Sequence, residues 1–247
     1  MRSSFLIQLA SVVLLVALWQ VAAAAMDSRL LPGPVTVLDV LVRDIGDGEL
    51  PYHVGVTLAR VAASFVLAMA IGTAIGIAMG RVKTLDRFFD SWLILFLNIP
   101  ALVTIILAYV WFGLVEAAAI GAVAINKIPT VVVTVREGTR ALERDYTEMA
   151  EVFRLGRWRR LQQVVLPQLY PFLMAAARSG LALIWKIVLV VELLGRSNGV
   201  GFQLYLFFQL FDVAGILAYT IAFVAVIQVI ELALMRPVER RATRWRR

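Results

Sequence analysis

One histidine, His53, no cysteine and three lysines leave this 247-residue chain few groups for covalent or metal chemistry. Disulfides, thiolate nucleophiles and Cys/His zinc sites are excluded. An intramembrane metalloprotease needs a His/Glu cluster and a serine type needs a Ser/His arrangement; His53 supplies neither and reads as a polar residue at a helix entrance. None of Lys83, Lys127 and Lys186 completes a Gly-x-x-x-x-Gly-Lys run, so the chain carries no phosphate loop for hydrolysing ATP. Gly195 to Gly201 is glycine-rich but follows an apolar stretch rather than a strand, and reads as an external turn. Catalytic residues, metal ligands and a cofactor bound by this chain are therefore not expected.

What remains is fixed charge in apolar surroundings. Arg60, Lys127, Lys186 and Glu192 fall inside long apolar stretches, where an unpaired charge is costly, so each should face protein or a water-filled path. Lys186 and Glu192 are six residues apart and do not share a helix face, so their partners belong on other helices or on a second copy. A cationic lining suits an anionic solute, with structural pairing as the competing reading. Asn98-Ile99-Pro100 interrupts another stretch, and Asn126 precedes Lys127. Such breaks open polar backbone to a pathway or form a tolerated proline kink.

These groups need membrane-spanning elements to hold them. The chain is 61% hydrophobic and 17% charged, with apolar blocks of about 20 residues between basic clusters, the length that crosses hydrocarbon. Runs such as Ile184 to Leu194 do not alternate, which excludes β-barrel strands. The expectation is an all-α membrane protein, a single domain over 1–247 with six transmembrane helices. The spans are placed at about Phe5–Ala25, Val54–Gly80, Phe88–Trp111, Val115–Val135, Phe172–Leu194 and Val213–Met235. With the N-terminus inside, 17 of the 24 Lys and Arg fall in internal segments, three in external ones and four within spans. The positive-inside rule then puts both termini in the cytoplasm and explains the net charge of +7 without nucleic acid. The basic start and the Ala22–Ala25 end of the first stretch also fit a cleaved signal peptide, although an uncleaved span keeps the helix count even. Pro34 should begin a short external helix with Val37, Leu38, Leu41, Val42 and Ile45 on one face. Gly72, Gly76 and Gly80 clear one face of the second span for close helix packing.

The longest internal segment, 136–171, mixes charge with apolar residues. On a helix from about Arg144, Tyr146, Met149, Ala150 and Phe153 recur at three- and four-residue steps, while Glu143, Glu148 and Glu151 lie largely off that face. Such an element fits a groove on a soluble partner, or is a solvated connector.

Its spacing resembles the cytoplasmic loop of permeases of binding-protein-dependent ABC importers: Glu-Ala-Ala, three residues, Gly, nine residues, Ile-x-Leu-Pro. Here the stretch reads Glu148-Met149-Ala150, then Arg154 at the glycine position, then Val164-x-Leu166-Pro167. Met149 and Arg154 depart from the pattern, and Gly156 stands two residues beyond the glycine position. Leu31-Pro32-Gly33-Pro34, the glycine-spaced stretch Gly72 to Arg81, and Val191-Glu192-Leu193-Leu194-Gly195 with Gly199 and Gly201 resemble the nitrate, taurine and alkanesulfonate permeases in particular. The resemblance covers Leu31 to Met235. It implies a type I importer fold in a bacterial cytoplasmic membrane and an assembly of two permease copies, two ATPase subunits and one external solute-binding protein. It also implies ATP and magnesium on the ATPase, a small anion such as nitrate or a sulfonate as solute, and coupling through Glu148, Met149, Ala150, Phe153, Arg154, Gly156, Arg157 and Pro167. An ion-coupled secondary transporter would need acidic coupling groups within the bilayer, and Glu192 is the one plausible candidate; no internal repeat supports that class.

Overall fold

The computed structural model describes residues 2–26, 28–142, 148–149, 152–235 and 237. Among them all regular structure is helical. The helices are α1 (Arg2–Met26), α2 (Pro34–Gly46), α3 (Glu49–Arg81), α4 (Lys83–Asn98), α5 (Ala101–Phe112), α6 (Glu116–Arg140), α7 (Arg157–Arg160), α8 (Leu166–Gly195), α9 (Val200–Gln209) and α10 (Val213–Ile230). Among the described residues, five stretches are long and apolar enough to cross a membrane: Leu9–Met26, Glu49–Arg81, Glu116–Arg140, Trp158–Gly195 and Val213–Ala233. The chain forms two compact units, one of residues 1–57 and 197–228, the other of 58–196 and 229–247.

The expected third span, Phe88–Trp111, is not one helix. α4 and α5 meet at a bend of 95°, so they form a broken span or a re-entrant loop. The cause is local. Pro100 lacks an N–H and forces Ile99 into an extended conformation, with ψ 123°. Asn98 turns its side-chain amide back onto the Ile94 carbonyl, one turn before the break, at 2.7 Å.

In the larger unit α6 is the pillar, with much of its length buried, because three sets of glycines let neighbours approach it. A Cβ added at Gly72, Gly76 or Gly80 would lie 2.6, 2.8 or 2.5 Å from the Cβ of Val131, Val135 or Thr139. Both helices step by four residues, so the two faces run in register. On the other side, Gly138 of α6 admits the ring of Phe172, and Gly180 of α8 admits the side chain of Lys127. α6 continues past Val135 to Arg140, and α8 is entered through the turn of α7 and a π-helical turn, Leu161–Val165.

In the smaller unit, α1 is exposed along most of its length and apolar on all sides, as a lipid-facing helix must be. Trp19 of α1 donates its indole N–H to the Pro32 carbonyl at 3.0 Å, tying α1 to the turn that starts α2. α2 begins at Pro34 after an extended Gly33. Val37 is buried, while Leu38, Val42 and Ile45 are exposed. The glycine-rich turn leads directly into a helix absent from the sequence expectation, α9. His53 and Thr57, one turn apart on α3, cap it: Gly199 N–H donates to His53 Nδ1 at 2.9 Å and Val200 N–H to Thr57 Oγ1 at 2.8 Å. Nδ1 is therefore the acceptor, and the other ring nitrogen, Nε2, lies 2.7 Å from the Gln203 side-chain nitrogen and 3.4 Å from Glu49. Asp212 caps α10 through Gly215 N–H at 3.0 Å.

Replacing Gly76 by Leu should lower stability by about 1–3 kcal/mol, because its side chain must displace Val135. Leu at Gly55, where an added Cβ meets nothing within 4 Å, should leave stability unchanged. Unfolding midpoints of the two variants in lipid discs check this.

Candidate functional site

Of the membrane-embedded charges, the structure brings two together. Arg60 of α3 is buried, and its guanidinium forks between two carboxylates. Nε and Nη2 donate to the two oxygens of Glu116 at 2.6 and 3.1 Å, and Nη1 donates to Glu192 Oε1 at 2.7 Å. Glu192 is 0% exposed. Arg196 joins the cluster, 2.7 Å from Glu116 Oε2, and donates to the Leu114 carbonyl at 2.6 Å. Beside it the Tyr109 hydroxyl donates to the Val191 carbonyl at 2.9 Å, and a Cβ at Gly195 would strike the Tyr109 ring. Two guanidiniums and two carboxylates make the cluster formally neutral. It ties α3, α6 and α8 together at one end of the bundle. Burial makes these pairs costly to break, since the partner left behind keeps its charge.

Sequence reading misses Glu116, because a carboxylate on the first residue of a helix reads as an end marker. It is also the residue that doubles the anchoring of Arg60. A second cluster, likewise unforeseen, ties the opposite end. Arg136 of α6 lies 3.3 Å from Asp86 and 2.5 Å from Asp90 of α4, and Arg140 also pairs with Asp86. Glu137 accepts from Arg140 at 3.0 Å.

The remaining pathway candidates lie apart. Lys127 is 2% exposed and points at Gly180. Lys186 of α8 is exposed. Asn98 is exposed at the α4–α5 break, while Asn126 lines a cavity of about 250 Å³ with Thr104, Ala108 and Phe96.

In the segment between α6 and α8, Glu148 and Met149 are exposed and Ala150 lies outside the described residues. Val152, Phe153 and Trp158 are 79%, 70% and 67% exposed, apolar groups held out among arginines. Arg154, at the family's glycine position, has φ +50°, the left-handed conformation that glycine adopts freely and other residues adopt at a cost. Gly156 is exposed and a Cβ added there would meet nothing within 4 Å, the backbone of Arg157 begins α7, and Pro167 stands exposed in the first turn of α8. The expected helix from about Arg144 falls largely outside the described residues.

Comparison with known proteins gives one family. Residues 54–244 match the binding-protein-dependent transport system inner membrane component. The putative aliphatic sulfonates transport permease protein SsuC of Bacillus subtilis is 29% identical over 94% of this chain and 84% of its own length. The taurine transport system permease protein TauC of Escherichia coli is 29% identical over 94% and 86%. The bicarbonate transport system permease protein CmpB of Synechococcus elongatus is 27% identical over 81% and 76%. Among solved structures, the MetNI methionine ABC transporter in an inward-facing conformation shares the fold, with a TM-score of 0.65 at 20% identity over 76% of this chain and 93% of that one. Apolar helices with a sharply bent pair, fastened by ion clusters, an apolar surface presented between α6 and α8, and a match over residues 54–244 lead to one assignment: the chain belongs to the family of inner-membrane components of binding-protein-dependent transport systems.

Proposed function

We infer that this permease carries a small anionic solute, delivered by an external binding protein, and takes its energy from a separate ATPase seated on residues 148–167. ATP and magnesium belong to that partner. The observation that carries the reading is the exposed trio Val152, Phe153 and Trp158 within the importer-type spacing that runs from Glu148 to Pro167. Apolar side chains this exposed in a basic segment are explained by a partner's groove. The left-handed turn at Arg154 separates Phe153 from α7, so the trio is offered from two backbone directions.

Two such permeases would line one pathway, with the basic segments and both termini on the cytoplasmic side by the distribution of Lys and Arg. The ion clusters suit this mechanism. Asp86, Asp90, Arg136 and Arg140 hold α4 to α6 at the end near the docking segment, and Arg60, Glu116, Glu192 and Arg196 hold α3, α6 and α8 at the other. Movement imposed at the segment is then passed on as rotation of a rigid group of helices rather than as bending of one. Anionic solutes fit the cations embedded in the spans and the sulfonate, taurine and bicarbonate systems named for the relatives.

The Phe153→Asp variant should keep its melting temperature and lose ATPase on affinity purification from native membranes, with at least about 30-fold weaker association. Undiminished recovery of the ATPase would refute docking at this surface, and recovery of the wild-type chain alone would refute the importer assembly. The Arg154→Gly variant should be more stable by about 1 kcal/mol, measured by unfolding in lipid discs, because the left-handed conformation then costs nothing. The Glu192→Gln variant should lose about 3 kcal/mol, and adding Arg60→Met to it should restore part of the loss, as a double-mutant cycle will show.

A further inference from the structure

The chain treats its two fully embedded cations differently. Arg60 has two carboxylates within 2.7 Å. Lys127 has no ion pair or hydrogen bond among the described residues, although it is 2% exposed. It lies eleven residues from the start of α6 and thirteen from its end, so about 16 Å of helix separates it from the nearer terminus, a mid-membrane depth. The site is built to receive this side chain: the missing side chain of Gly180 leaves its space, since a Cβ there would lie 2.7 Å from Lys127 Cε and 3.5 Å from Nζ.

An ammonium buried at this depth is costly until a counter-charge meets it. Among the described residues no carboxylate pairs with it. Every Asp and Glu in the described long helices lies within about two turns of a helix end, and Glu192 is already committed to Arg60. Lipid headgroups lie about 15 Å away, at the edges of the hydrocarbon. A solute in transit is a source of negative charge that can reach this depth.

We propose that Lys127, seated against Gly180, is the anion-binding station at the middle of the pathway, and that it selects a small monoanion through direct charge pairing. This rests on the transport reading above and deepens it. Lys127 is a binding residue, exposed to the solute as the bundle alternates between its outward and inward states. Gly180 acts through Lys127, by keeping the recess free. Selection at this point depends on negative charge and small size, and the finer identity of the solute is left to the binding protein that delivers it.

The test uses the full chain in discs of neutral phosphatidylcholine, with unfolding followed by tryptophan fluorescence. Methanesulfonate is the probe, titrated against gluconate, a bulkier anion, at constant ionic strength. The wild type should melt at a temperature that rises saturably with methanesulfonate, because a ligand of the folded state stabilises it. The Lys127→Met variant should melt higher than the wild type in gluconate, having lost an unpaired charge, and should bind methanesulfonate at least about tenfold more weakly. Lys127→Arg should keep the response. A wild type indifferent to methanesulfonate, an equal response from Lys127→Met, or a Lys127→Met chain that fails to fold would each overturn the proposal. A Lys127-dependent response from a chain that recovers no ATPase would leave the anion site standing and sink the importer reading. The converse, ATPase recovery without the response, would sink the site alone.

Discussion

In hydrocarbon a helix gains little by exchanging lipid for another apolar surface, so contact between spans must come from close approach of their backbones. The seam between α3 and α6 meets this constraint with Gly72, Gly76 and Gly80 set against Val131, Val135 and Thr139. Gly138 and Gly180 do the same between α6 and α8. The polar features of the larger unit depend on that approach. Arg60 reaches Glu116 only because α3 lies this near α6, and Lys127 fits only because α8 has no side chain at Gly180.

The embedded charges divide by what surrounds them. The Arg60 cluster contains its own counter-charges and needs nothing from outside, which suits a fastening. The Arg136 cluster lies at the partly wet end of the bundle and ties the start of α4 to the last turns of α6. Lys127 is buried and has no carboxylate partner among the described residues. One basic residue type thus serves to hold helices together, and another is left with charge to spare for a visitor. In the smaller unit the same economy appears in neutral form: His53 and Thr57 spend their acceptors on the N–H groups of Gly199 and Val200, so α9 can start after a glycine turn without a cap of its own.

Much of this architecture is legible in sequence because it follows local periodicity. The four-residue glycine step, Pro34 at a helix start and the interruption at Asn98-Ile99-Pro100 are all local patterns. What escapes is set by neighbours. Arg60 and Glu192 can each be singled out as costly, but their pairing joins residues 132 apart. Glu116 looks like an ordinary helix opening until α3 is placed beside it. The break at Pro100 is predictable as a break, whereas its 95° angle depends on what α4 and α5 pack against. α9 is hidden because glycines that read as a turn also free the backbone to enter a helix, and its caps come from α3. The apolar face foreseen on α2 exists, yet only Val37 is buried, since periodicity marks a face without saying what covers it.

The bend between α4 and α5 also bears on how the chain is made. α4 has 16 residues and α5 has 12, about 24 and 18 Å of helix, each short of the roughly 30 Å of hydrocarbon. During synthesis neither half is a self-sufficient span, and the exposed backbone at their junction has no place in bare lipid. α6, made immediately afterwards, supplies Arg136 and Arg140 for α4 and a packing surface for α5. Settling of this region therefore draws on sequence made later: the ion partners of α4 and the packing surface of α5 arrive only with α6.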